Sequence, residues 1–340
     1  MDKLNTEVLV GCYGEADSAC IHWLNIHAES GEVTRLGKQA GIANPSFLAK
    51  HPVKNRVYAI SEAAEGEVVC YELDYEAHRL KERRRLPTHG GPCYAEVSAC
   101  GHYIFISNYS NAGVVVFALD DNGDLQEEAE HIAFASENRE ASHIHTVRQI
   151  PETSLFLLTD IGKSKIYLYQ WDEERRSLLP FQSLTVPEKA GPRHAAFHPE
   201  KPIVYVVNEY QSTVSVYQYA VPSDSLQCIQ TVETIRERRN YGAEIQFLDG
   251  KVITSNRGSD TLSLFKVTEN GTLEKEGSIS AGGKWPRHFC SNQREDKQLF
   301  VCHQHSNNLA IFKQMNGTFF MMNNTFSIQS PACIIDLKRL

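Results

Sequence analysis

At 340 residues, with 41% hydrophobic and 22% charged side chains, the chain has the composition of a globular protein that buries a sizeable core, which argues against disorder. A formal net charge of −8 argues against nucleic acid or an anionic membrane as partner, since both select a basic surface, and no run of about 18 apolar residues offers a membrane span. The start, MDKLNTEVLV, has no apolar signal core, and nine cysteines without any C-x-x-C spacing fit reduced thiols, so a cytoplasmic protein is expected.

In chain order the first predicted elements are three short strands, EVLVGCY from Glu7, ACIHWLNIH from Ala19 and EVTRLGKQ from Glu32. Six copies of a longer segment follow: NPSFLAKHPVKNRVYAISE from Asn44, GPCYAEVSACGHYIFISNY from Gly91, SHIHTVRQIPETSLFLLTD from Ser142, GPRHAAFHPEKPIVYVVNE from Gly191, YGAEIQFLDGKVITSNR from Tyr241 and WPRHFCSNQREDKQLFVCHQ from Trp285. Their starts lie 47, 51, 49, 50 and 44 residues apart, a period that belongs to propeller blades or helical arrays. Runs such as VYAIS, YIFIS and VYVVN are short, β-branched or aromatic and bounded by turn residues, which selects strands. A further alternating run follows each copy, as in GVVVFAL, KIYLYQW and TVSVYQY. Each repeat therefore reads as four antiparallel strands A to D, one blade. SPACIIDL, from Ser330, matches a strand A with no sequel, and the three opening strands match B, C and D. The two ends complete a seventh blade, giving an all-β, seven-bladed propeller over residues 1–340 as a single domain.

Strand B returns along strand A, so the residue that opens A and the residue that ends B share one face. The opening column reads Phe47, Tyr94, His145, His194, Glu244, His288 and Cys333, preceded by Ser46, Cys93, Ile144, Arg193, Ala243, Arg287 and Ala332. The closing column, usually 15 residues later, reads Glu62, Tyr109, Asp160, Glu209, Arg257 and Gln304. A wet channel mouth is polar by default, but a scaffold is served by Ser, Thr or Asn, whereas Arg, His and carboxylates converge here as a reactive cleft requires. His51 and His198 fall in the A–B hairpins on the opposite face and read as structural.

Gly191-Pro-Arg-His194 with Val-Asn-Glu209, Ala243-Glu-Ile245 with Ser255-Asn-Arg-Gly258, and Trp285-Pro-Arg-His288 together resemble the lactonase family of seven-bladed propellers, which includes bacterial 6-phosphogluconolactonases and fungal carboxymuconate lactonizing enzymes. The resemblance spans nearly the whole chain. It implies a His, two Arg and a Glu as active residues, falling on His145, Arg193, Glu209 and Arg257, and no cofactor. Two departures stand out: the family's Asp-Leu-Gly-x-Asp is Asp160-Ile-Gly-Lys-Ser164, and its Ala-Asn-Gln is Cys302-His-Gln304, with His303 and His305 as added groups that bear on substrate preference.

The expected reaction is hydrolysis of a small anionic sugar lactone. Glu209 or His145 takes a proton from water, Arg193 and Arg257 hold the oxyanion or the substrate's anionic group, and Arg287 and His288 hold a distant phosphate or carboxylate. His194, Glu244, Asp160, Tyr109 and Gln304 are further expected substrate contacts. No metal is expected, because the arginines repel a cation. The rival readings are a lactonizing cycloisomerase on the same scaffold and a propeller that binds partners without chemistry, although periodic WD signatures are missing.

Overall fold

The computed structural model describes residues 5–134, 141–220, 225–236, 239–292 and 297–338. Among them the chain forms seven four-stranded antiparallel sheets, the blades of a seven-bladed β-propeller, and no helix. Strand A is Pro45–Lys50 in blade one, then Pro92–Val97, Ile144–Gln149, Pro192–Phe197, Tyr241–Leu248 and Pro286–Ser291 in blades two to six. Strand B is Arg56–Ser61, Tyr103–Asn108, Leu155–Asp160, Ile203–Asn208, Lys251–Arg257 and Gln298–His303 in the same order. By contacts the chain divides into two compact units, one of Ser107–Val114 and Ala129–Ala281, the other of Met1–Ile106, Val115–Glu128 and Gly282–Leu340.

The strand sequences explain their depth. Strand B of blade one, RVYAIS, is buried at all six positions, because neighbouring blades cover both of its faces. The outermost strand of the same blade, Arg79–Pro87, buries only Leu80 and shows charge elsewhere, which discourages pairing with another chain's edge. In one unit Leu9, Trp23, Leu48, Val57 and Tyr71 pack the terminal blade onto blade one. In the other, Leu157, Leu168, Ala195, Val206 and Tyr217 pack blade three onto blade four.

The terminal blade is shared by the two ends of the chain as the sequence predicts. Its strand A, Pro331–Asp336, pairs with its strand B, Asn5–Cys12, through Val8↔Asp336, Leu9↔Ile335, Val10↔Ile334 and Gly11↔Cys333. Gly11 admits no side chain: a Cβ there would lie 2.1 Å from the Pro45 carbonyl oxygen of blade one.

One irregularity recurs where A meets B. Pairing runs Pro45↔Ser61 then Phe47↔Ile60, Ile144↔Asp160 then Thr146↔Thr159, Pro286↔His303 then His288↔Cys302, and Cys333↔Gly11 then Pro331↔Cys12. Each skips one residue: Ser46, His145, Arg287 and Ala332. In blades four and five Arg193–His194 and Ala243–Glu244 occupy the same break. These are β-bulges, and they re-aim the side chains they carry. The residue after strand B then donates its N–H to the carbonyl just ahead of strand A: Glu62 to Asn44 (3.0 Å), Ile161 to His143 (3.0 Å), Glu209 to Gly191 (2.7 Å), Gln304 to Trp285 (3.1 Å) and Tyr13 to Ser330 (2.9 Å).

This register corrects the sequence columns by one residue in blade three. His145 is the counterpart of Arg193 and Arg287 rather than of His194, and Ile161, not Asp160, is the counterpart of Glu209. Asp160 stands level with Asn208 and Asn256, whose amides bond inside their own blades, to Thr213 and Ser215 and to Thr261 and Ser263. Its carboxyl accepts from Ser142 Oγ, from the N–H groups of His143 (2.9 Å) and Lys163 (3.0 Å) and from Tyr167 Oη (3.4 Å), and it is 0% exposed.

The hairpin histidines also serve the backbone. His51 Nδ1 accepts from the N–H groups of Val53 and Lys54, both at 3.1 Å, and His198 Nδ1 accepts from those of Glu200 (3.0 Å) and Lys201 (3.1 Å). Both roles need an unprotonated nitrogen, and burial lowers the pKa of each ring.

Replacing Asp160 by Ala removes an acceptor of four hydrogen bonds and is expected to cost about 3 kcal/mol in urea unfolding. Because the folded histidine pKa values are depressed, the unfolded chain takes up protons first. Stability held above about pH 6.5 therefore falls as the solution is acidified. A His51→Asn, His198→Asn double variant should show a flatter loss of unfolding free energy between pH 7 and 5.

Candidate active site

All four residues to which active roles are expected lie in the unit containing blades three to five. Arg193, on the blade-four bulge, places Nε 3.1 Å from Glu209 Oε2, and Arg257, at the end of strand B of blade five, places Nη2 2.8 Å from the same oxygen. Both guanidiniums are also tied to backbone: Arg193 Nη1 donates to the Ala243 carbonyl (2.7 Å) and Arg257 Nη2 to the Gly242 carbonyl (3.1 Å). The arginines are buried, at 3% and 5% exposure, whereas the Glu209 side chain retains 16%. Two fixed cations thus share one carboxylate, and the trio keeps one positive charge in excess. Burying such charges is costly unless each is paired and hydrogen-bonded, which the backbone ties accomplish.

The backbone at Glu209 is held on both sides, by its own N–H to Gly191 (2.7 Å) and by its carbonyl, which accepts from the Gly242 N–H (3.0 Å). Gly191 has φ +67 and lies under the ring of Tyr210, where a Cβ would meet Cδ2 at 2.7 Å. Glycine is the residue that meets both conditions.

His145 reaches this trio through His194. Its carbonyl is gripped by Ser107 Oγ (2.8 Å), and its ring meets the edge of His194 at 4.9 Å and that of Tyr109 at 6.1 Å. Tyr109 in turn stacks on His143 at 4.3 Å, with His143 Nδ1 2.9 Å from the Tyr109 carbonyl. His194 and Glu244 are turned on each other, Nδ1 to Oε2 at 2.8 Å. Burial pushes the Glu244 carboxyl up to about 8 against the pull of Arg193, the Ile245 N–H and Arg148. Asp160 is committed to the turn described above and contributes no side chain to this group.

The remaining expected contacts belong to the other unit. Arg287 Nη2 lies 3.3 Å from Glu62 Oε2, which also accepts from Tyr13 Oη at 2.7 Å, and the guanidinium sits 5.1 Å over the Tyr13 ring. His288 is buried, its ring edge-on to Phe47 at 5.6 Å, and Phe47 packs on Tyr94 at 4.4 Å. Gln304 is half-buried beside Trp285, whose ring stacks on exposed His305 at 4.6 Å. His303 is fully buried, against Gly283, and cannot touch a substrate.

Sequence reasoning missed Tyr13 and Tyr210. Tyr13 is the terminal blade's member of the column that holds Glu62 and Glu209, and extending the column to EVLVGCY would have found it. Tyr210 follows Glu209, is 45% exposed, and bonds Tyr109 through its side chain.

Residues 7–335 match the family model described as lactonase, 7-bladed beta-propeller. A 6-phosphogluconolactonase of Bacillus subtilis is 27% identical over 339 residues, 96% of each chain. A solved Bacteroides fragilis protein, described as a candidate 6-phosphogluconolactonase, superposes with a TM-score of 0.89 at 26% identity, over 99% of both chains. The periplasmic gluconolactonase of Pseudomonas aeruginosa superposes with a TM-score of 0.90 at 22% identity, covering 98% of this chain and 99% of that one, a likeness of fold. With the family match running through all seven blades, the chain belongs to the lactonase family of seven-bladed β-propellers.

Proposed function

We propose that this lactonase hydrolyses a small anionic sugar lactone, 6-phosphogluconolactone to 6-phosphogluconate, at the cluster of Arg193, Glu209, Arg257 and His145. The observation that carries the reading is the sharing of one carboxylate oxygen by two buried guanidiniums, which leaves a fixed positive charge in excess, with His145 in ring contact with His194, the residue next to Arg193. Ester hydrolysis builds negative charge on the carbonyl oxygen, and preorganised cations stabilise it without reorganising during the reaction. An arginine fork also grips a carboxylate or phosphate through two hydrogen bonds, which favours an anionic substrate. The name of the Bacillus subtilis relative supports the same choice.

In this mechanism Arg193 and Arg257 face the lactone carbonyl, and Glu209 keeps them in register. His145 accepts a proton from the attacking water, work to which an imidazole is suited at neutral pH. The tetrahedral intermediate then collapses, and the proton returns to the departing ring oxygen. A sugar δ-lactone is already strained toward opening, so positioning and charge suffice without a covalent intermediate.

Proton release from 6-phosphogluconolactone, corrected for spontaneous opening, tests the reading. Arg193→Ala and Arg257→Ala should each lower kcat/KM by roughly 100-fold, and unphosphorylated gluconolactone should be the poorer substrate. Turnover no faster than the uncatalysed reaction, or cyclisation of a muconate in its place, would refute it.

A further inference from the structure

The pair formed by Glu244 and His194 is deeply placed for groups that are meant only to touch substrate. They are 6% and 4% exposed, and each is on the bulge of its own strand A, in blades five and four. The two bulges clasp each other twice: Arg193 Nη1 donates to the Ala243 carbonyl at 2.7 Å, and one residue further His194 Nδ1 faces Glu244 Oε2 at 2.8 Å. The other oxygen, Oε1, accepts from the Ile245 N–H at 3.1 Å. The back of the clasp thus ends on a carboxyl, while its front carries Arg193 and, through the edge contact at 4.9 Å, His145.

We infer that Glu244 and His194 form a proton-sharing positioning pair that sets the tautomer of His194 and thereby the seat of His145 and Arg193. The inference rests on the lactonase reading of this same site. When the pair holds its extra proton, as a carboxylic acid facing Nδ1 or as an imidazolium facing a carboxylate, Nε2 carries a hydrogen. When that proton leaves to solvent, the hydrogen that remains is on Nδ1, donated to the carboxylate, and Nε2 becomes an acceptor. The pair goes from neutral to one negative charge. The groups that bear on Glu244 are His194 and Arg193 from strand A of blade four and Arg148 from strand A of blade three, with Arg257, from the paired strand, bonded to Gly242 two residues ahead. A carboxylate newly charged beside Arg193 competes with Glu209 and with any anionic substrate for that guanidinium. Burial holds the carboxyl protonated to about pH 8, so the change falls on the alkaline side of neutrality.

Two readouts on the full chain separate the possibilities. In 15N-histidine NMR between pH 6.5 and 9.5, the His194 signal, assigned by its loss in His194→Gln, should pass from the Nε2–H to the Nδ1–H form. In Glu244→Gln, whose amide donates to Nδ1 at every pH, it should stay Nε2–H. With 6-phosphogluconolactone, KM in the unmodified protein should rise about fivefold from pH 7 to 8.5, whereas in Glu244→Gln it should not change with pH over that range. A His194 tautomer that is constant with pH, or that changes alike in both proteins, overturns the inference even if the lactone is hydrolysed. A tautomer change that is abolished by Glu244→Gln, in a protein without lactone turnover, sustains the pair and removes the substrate reading.

Discussion

The bond that the architecture depends on is a backbone one, from the N–H that follows strand B to the carbonyl that precedes strand A, closing each bulge. It recurs in blades one, three, four and six and in the terminal blade. A bulge leaves one residue without a partner across the ladder and twists its side chain out of the regular alternation. With the pin in place, Ser46, His145, Arg193, Arg287 and Ala332 become equivalent positions that evolution can fill independently. The scaffold keeps its hydrogen bonds, and the side chains proposed for chemistry sit on residues that the sheet does not need.

The charged trio shows the consequence. Arg193 comes from a bulge, Glu209 from the pin residue of the same blade and Arg257 from the pin position of the next, so their meeting follows from the strand pairing of adjacent blades. Each guanidinium donates to a backbone carbonyl and is ion-paired with Glu209, which fixes its plane and prevents the long side chain from relaxing toward water. Rigidity of this kind is what converts a favourable charge into a useful one.

Much of this was legible in the sequence. The six copies announce themselves because β-branched runs alternate with turn residues at a constant period, and SPACIIDL is recognisable as a strand A without its blade. The bulge was not legible, since a one-residue skip leaves no compositional mark. In blade three the histidine of SHIHTV falls by letter on the histidine of GPRHAA, and only the pairing Ile144↔Asp160 puts His145 level with Arg193 instead. The same slip offered Asp160 as a substrate contact when its oxygens close a turn. That Glu244 faces His194 is likewise a matter of distance between two strands far apart in the chain, which no local pattern encodes.

The terminal blade has a consequence for the order of events during synthesis. Val8 to Cys12 gain their inner neighbour only once residues 331–336 have left the ribosome, so that blade is the last to acquire its ladder. The segment from Ala129 to Ala281, by contrast, is continuous in the chain and already holds the arginines, Glu209 and His145. The residues of the proposed site are therefore all translated while the amino-terminal strand still lacks the partner that pairs with it last.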